Sequence, residues 1–290
     1  MSVLPIQYAP FPLPAMGPAH GVIPSPSGTE VIKKVALSCL KDLAASLVLG
    51  AVVACFVPTP VGITLLIYSI AIQFTVNTFF QMLGGFSAYK AAQKGPYEAQ
   101  FERTANLCEW MTGVNFALFT GLNAQTLIHE SGHALATLAV YRRPRPRIEV
   151  MPFIGGLTKY FKTPLTPFGK KLGAVGSTIL VVACGPGFTL LISSILLVVG
   201  LSIKDKHPQL GKALISWSFF DFLNHAHYAY SATWASPTNL AHDFVHLAIF
   251  GLHPVVATIG IIAIPIVITV GFHCWKSRQP QPVQPAPVLV

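Results

Sequence analysis

Six apolar stretches alternate with short polar or proline-rich breaks along the middle of the chain, at about 35–57, 61–83, 111–141, 172–203, 213–234 and 254–275. Each approaches or exceeds the roughly 20 residues that a helix needs to cross a bilayer. Pro58 and Pro60 separate the first two. A connector rich in Lys, Glu and Gln follows the second, and a basic, proline-broken segment follows the third. The pattern predicts an all-α polytopic membrane protein with about six membrane helices. Residues 147–160 depart from it. Arg147-Ile-Glu-Val-Met alternates in polarity, and Gly155-Gly156 is a turn signal, so this stretch predicts a short β-hairpin.

The ends differ from the middle. Residues 1–30 hold seven prolines and almost no charge, which predicts an extended or disordered arm. Residues 31–275 form the membrane domain, and 276–290 is a second proline-rich tail. No internal repeat is visible.

Composition agrees with the pattern. The chain is 52% hydrophobic and only 10% charged, whereas a soluble domain carries about 25% charged residues. Burying this surface in lipid removes the need for a charged coat. The net charge of +9 is uneven: eight of the nineteen Lys and Arg fall between Arg142 and Lys171. That clustering fits one cytoplasmic loop better than a nucleic-acid surface, so an integral, multi-pass membrane protein with the lipid bilayer as a partner, and no nucleic acid, is expected. Lys33 and Lys34 carry the same signal. Three single passes would set them opposite the larger cluster, so one of the first three stretches is expected to be a hairpin or re-entrant. The five cysteines (Cys39, Cys55, Cys108, Cys184, Cys274) are scattered and form no CxxC pair, so they read as small apolar residues.

The strongest chemical signal is His129-Glu130-Ser131-Gly132-His133. On a helix, positions i and i+4 share a face, so two imidazoles there can hold one Zn²⁺. The glutamate between them can take a proton from water on the metal. This composition gives roughly 0.007 chance occurrences of such a spacing. Placing a carboxylate and two imidazoles in a spanning helix is costly, and function is the default reading of it. Polar helix packing alone would be served more cheaply by Ser, Thr or Asn.

A catalytic zinc takes three protein ligands and keeps one open position. Ala139 stands where an extended HExxHxxGxxH motif would need its third histidine, and Glu149, the one glutamate after Glu130, lies in the hairpin. Asp205 sits in a polar loop. Asp221 and Asp243 remain. Asp221 has His225 one helical turn later, which predicts a local Asp–His pair. Asp243 has no opposite charge within several residues. His242 and His246 form another i, i+4 pair. Together with Asp221 and His225 they are candidates for a polar wall around the metal or for an alternative ligand.

These motifs resemble the site-2 protease family of intramembrane zinc metalloproteases. That family carries HExxH in a membrane helix, then an Ala-x-Gly-Pro stretch opening another, then an aspartate near its end. The matching residues here are His129, Glu130 and His133, then Ala183-Cys184-Gly185-Pro186, then Asp243 in Asn239-Leu-Ala-His-Asp-Phe. Phe244 replaces the glycine usual after that aspartate, and the Asn-Pro spacing before it is not kept. The likeness covers about residues 110–250. It implies a metalloendopeptidase with His129, His133 and Asp243 on Zn²⁺ and Glu130 as general base. Its substrates would be membrane-spanning proteins or peptides, such as transmembrane signalling proteins in regulated intramembrane proteolysis or signal-peptide remnants.

Two other readings stand beside it. A membrane di-iron oxidase acting on lipid would use His129/His133, His225/His227 and His242/His246 as histidine boxes. It does not explain Glu130, and no adjacent His-His pair is present. A catalytically inactive relative would bind membrane partners only.

Overall fold

The structure is a computed structural model and describes residues 27–279. Most of the two proline-rich arms, 1–30 and 276–290, lies outside the described residues, although the first helix begins within the expected arm. Ser27 caps α1 (Gly28–Ala54): its hydroxyl accepts from the Glu30 N–H, while the Glu30 carboxylate accepts from the Ser27 N–H. The break at Pro58–Pro60 leads into α2 (Pro60–Ala92), which Thr59 caps. Next come α3 (Glu98–Phe116), a π turn (Ala117–Gly121) and α4 (Leu122–Val140), which run on without interruption, because Phe116 and Leu122 keep right-handed helical dihedrals. Strands β1 (Arg147–Met151) and β2 (Gly155–Lys159) follow, then α5 (Pro167–Ile203), α6 (Pro208–Ser231), a short α7 (Asp243–Ile249) and α8 (Pro254–Ser277).

The fold is mostly helical with one small two-stranded sheet, as the pattern predicts. The number of membrane helices differs. Four helices, α1, α2, α5 and α8, are long and apolar enough to cross a membrane, which suggests a membrane protein. Six are not supported. The stretches expected at 111–141 and 213–234 are helical, but they carry the polar groups of the site. α4 buries Asn123, Gln125, Glu130 and Thr137, and α6 buries Ser216, Ser218, Asp221 and His225. Such helices are covered by neighbouring helices and need less apolar surface of their own.

The hairpin forms where it is expected, with Arg147 opposite Lys159 and Met151 opposite Gly155. Its turn is displaced from Gly155-Gly156. It lies at Pro152–Ile154, where Phe153 takes the positive φ (62°), while Gly155 and Gly156 open β2. The Val150 N–H donates to the Phe56 carbonyl (2.9 Å) and the Phe153 N–H to Asn123 Oδ1 (3.2 Å), so the hairpin is tied to the end of α1 and to α4. Lys159 reaches Glu149 across the strands (2.8 Å) and holds its carboxyl below the usual carboxylate range.

Two kinds of packing hold the helices. α5, α6, α7 and α8 share an apolar core that includes Leu197, Ile215, Phe222, Ala229, Leu247 and Ile261. α2 instead packs through a polar seam, with Ser69, Gln73, Asn77 and Gln81 one turn apart and all buried. Gln73 donates to Ser46 of α1 (2.6 Å) and accepts from Thr120. Asn77 donates to Asp42 of α1 and accepts from Asn115 of α3 (2.7 Å). In lipid, apolar contact between helices brings little net gain, so such interhelical bonds carry specificity.

Candidate metal centre

α4 delivers the motif. The π turn before it is closed by Gly121, where a Cβ would lie 3.1 Å from the Trp217 ring of α6. α4 and α5 then cross closely, because a Cβ on Gly132 would lie 2.2 Å from the Cys184 carbonyl oxygen. This crossing sets the motif against the middle of α5. Here the structure corrects the sequence reading: Gly185-Pro186 does not open α5 but stands inside it, and the helix bends earlier, at Gly173 (φ 72°). Pro186 lacks the N–H that would bond the Val182 carbonyl.

Three donor groups converge. His129 Nε2 is 3.2 Å from His133 Nε2. Asp243, the first residue of α7, places Oδ2 2.8 Å from His129 Nε2 and Oδ1 3.3 Å from His133 Nε2. Glu130 belongs to the same cluster: one ligand atom each from His129, Glu130 and His133 lie within 4.8 Å of one another. Its carboxylate is otherwise engaged. Thr158 of β2 donates its hydroxyl to Glu130, 2.7 Å from Oε2 and 2.9 Å from the Glu130 carbonyl. β2 comes this close because Gly156 has no side chain; a Cβ there would lie 2.5 Å from Glu130 Cγ. Asp243 thus offers one oxygen to each ring, while Glu130 stands beside them with Oε2 held by Thr158.

The donor set fits a divalent cation on two counts. Four-coordinate zinc with bonds of about 2.0–2.1 Å separates neighbouring donors by about 3.3 Å in tetrahedral geometry. The two Nε2 atoms stand 3.2 Å apart, and the two Asp243 oxygens lie 2.8 and 3.3 Å from one ring each, close enough for all three groups to face one ion. Secondly, Gly185 faces the donors directly. A Cβ at that position would sit 2.2 Å from His133 Nε2 and 2.8 Å from His129 Nε2, so the glycine keeps open the space in front of both rings. The outer atoms of the ligands are held as well. His133 Nδ1–H donates to the Val181 carbonyl (2.7 Å), and the Tyr228 hydroxyl accepts from the Asp243 N–H (3.0 Å).

The remaining candidates fall in different places. Asp221 is fully buried and pairs with His225 Nδ1 (3.0 Å), as the spacing predicts, and His225 Nε2 reaches His129 Nδ1 (3.3 Å). Asp221 does not meet the donor atoms of His129 and His133; Asp243 does. His242 stacks on Tyr228 and bonds Ser231 through Nε2 (2.9 Å), and His246 stacks on Phe250. Neither bonds the donor atoms of His129, His133 or Asp243, although His225, His227 and His246 border the same cavity as His129 and His133. Thr158, the Val181 carbonyl and Ser193 of α5, whose hydroxyl donates to the Asp221 carboxylate, carry no sequence signal, since each acts only through the tertiary approach of another element.

The centre opens into a cavity of about 510 Å³ bordered by His129, Glu130, His133, Asp243, Tyr228 and the β2 residues Gly155–Thr158. A larger groove of about 670 Å³ runs between α1 and α2. Its walls are almost wholly apolar, with Cys39 and Thr78 among the few polar side chains. It lacks the convergent polar groups that chemistry requires. No family model matches the chain, and no curated protein or solved structure is detectably similar to it.

Proposed function

We propose that this chain is a multi-pass intramembrane zinc endopeptidase resembling the site-2 proteases, with membrane-spanning proteins or peptides as substrates. The observation that carries the reading is the meeting of His129, His133 and Asp243 beside Glu130. Two imidazoles and a carboxylate suit Zn²⁺ and leave a fourth position open. When bound, Zn²⁺ supplies Lewis-acid polarisation of the scissile carbonyl and acidifies water. Glu130 takes the proton from the attacking water and passes it to the leaving amine. Thr158 holds the Glu130 carboxylate in place for both transfers. β2 pairs with β1 alone among the described residues, and its Gly155–Thr158 segment borders the cavity. An extended substrate segment therefore has backbone groups beside the centre with which to pair. A substrate helix must unwind to use them, because a regular helix keeps its carbonyls bonded.

The test is Glu130→Gln in the purified, reconstituted full chain. Metal analysis and cleavage of a panel of single-span peptides are read together. The native chain is expected to hold one zinc and cleave; the variant is expected to hold zinc and not cleave. Cleavage by the variant refutes the role of Glu130. Two irons per native chain would move the assignment to the lipid oxidase.

A further inference from the structure

Behind His129 lies a file of buried side chains that the proposed hydrolysis does not use. His225 Nδ1 donates to the Asp221 carbonyl (3.1 Å), so Nδ1 is the protonated nitrogen, and it lies 3.0 Å from Asp221 Oδ1, which accepts no hydrogen bond. In the neutral ring Nε2 then has only a lone pair, and it is directed at His129 Nδ1 (3.3 Å). His129 must therefore carry its proton on Nδ1, leaving the Nε2 lone pair to face His133 and Asp243. The Asp221 carboxylate is fixed in turn. Ser193 of α5 donates its hydroxyl to Oδ2, and Ser218 donates to the Ser193 carbonyl (2.6 Å). Asp221, Ser193 and Ser218 are at most 2% exposed and His225 is 4% exposed, so water does not compete for these bonds.

We infer that Asp221 and His225 are positioning residues, a two-step file in which the Asp221 carbonyl sets the His225 ring, the His225 ring fixes the tautomer and orientation of His129, and the adjacent Asp221 carboxylate brings a buried negative charge to bear on a cation held at His129 Nε2. The inference rests on the metal-centre reading. Metal-bound histidines usually donate their outer N–H to a carboxylate or carbonyl directly. His133 does so at Val181. At His129 an imidazole is interposed, and the carboxylate stands one residue further back. This arrangement gives an in-membrane carboxylate a role that simple helix packing by Ser or Asn would not require.

The test uses the full chain in detergent, with Zn²⁺ affinity and the visible spectrum of bound Co²⁺ as readouts and melting temperature as the control for folding. Asp221→Asn and His225→Phe are expected to weaken zinc binding about 10–100-fold and to shift the cobalt bands. His225→Gln, whose amide oxygen can accept from His129 Nδ1–H, is expected to recover most of the native affinity. Lower melting temperatures with native zinc affinity and an unchanged cobalt spectrum would leave the file a purely structural pair and overturn the inference alone. A native chain that binds neither metal stoichiometrically would overturn the metal centre and the inference together.

Discussion

Gly185→Ala isolates the geometry of the metal centre from its chemistry, because it removes no ligand and adds one methyl group. That methyl would lie 2.2 Å from His133 Nε2, 2.3 Å from His133 Cε1 and 2.8 Å from His129 Nε2. Carbon and nitrogen that are not bonded settle at about 3.5 Å, so the overlap with His133 exceeds 1 Å. α5 cannot retreat freely, because apolar packing against α6 and α8 backs it on the side away from α4. The rings must yield, and ligand distances tolerate only about 0.2 Å. Overpacking of this kind costs about 1–3 kcal/mol, while the Gly→Ala change inside a helix returns up to about 1 kcal/mol. The net loss of stability should therefore be about 0–2 kcal/mol when the full return is realised. Zinc affinity should fall at least about 100-fold, or about 2.8 kcal/mol at about 1.4 kcal/mol per tenfold. Gly187→Ala is the matched control, two residues on in the same helix, with nothing within 4 Å of the added carbon. Metal content after purification and zinc titration of both variants decide the matter. Native zinc binding by Gly185→Ala would mean that the two rings do not occupy the positions described.

Three further expectations follow from the same geometry. His129→Ala and His133→Ala each remove a donor atom and should lose the metal together with activity, as elemental analysis would record; stoichiometric zinc in either places the ligands elsewhere. Asp243→Ala should reduce zinc occupancy sharply, and more than Asp221→Ala does, since Asp243 alone of the two meets both Nε2 atoms; the reverse order in a zinc titration would refute the choice of third ligand. Thr158→Val keeps the shape of the β2 contact but deletes the hydroxyl on Glu130; a bond to a charged group is worth about 1.5–3 kcal/mol, so turnover should fall about tenfold or more with zinc content unchanged, and undiminished turnover would show that Glu130 is positioned without it.

Much of this arrangement was legible in the chain because it is local. Apolar runs bounded by prolines place α1, α2, α5 and α8, and alternation places the hairpin. His129, Glu130 and His133 are legible because helical periodicity alone brings the two rings to one face. The Asp221–His225 pair is legible for the same reason. The misreadings share a physical cause. α3 begins at Glu98, well before the apolar run at 111, with polar first turns whose Asn106 and Glu109 meet Lys212 of α6. α7 is too short to leave a periodic pattern. The Phe153 turn occurs beside two glycines because Asn123 of α4 holds the Phe153 N–H. Thr158 and Ser193 belong to the site only through contacts with Glu130 and Asp221, 28 residues away in each case.

A buried polar cluster in a membrane helix bundle has an ordinary explanation, the joining of helices, and this protein contains both an example of that and a contrast to it. In the α2 seam Gln73 and Asn77 meet complementary groups on both sides, although Gln81 Oε1 has no partner. Asn77 donates to Asp42 and accepts from Asn115, while Gln73 donates to Ser46 and accepts from Thr120. At these two residues nothing is left over that a cation would satisfy. At the centre the complement is missing. The outer nitrogens of both imidazoles are spent, one on Val181 and one on His225, so each ring turns an Nε2 lone pair inward. There it meets the other ring at 3.2 Å and the oxygens of Asp243. Three electron-rich groups facing one another repel unless something positive lies between or upon them. Protonating one ring serves one Asp243 oxygen and leaves the other ring's lone pair opposed, while protonating both would bond both oxygens but set two N–H groups of like charge 3.2 Å apart. A divalent ion serves all three at once, and the glycine at 185 keeps its place open. The difference between glue and site in this molecule thus lies in the direction of the lone pairs, since both clusters are polar and buried.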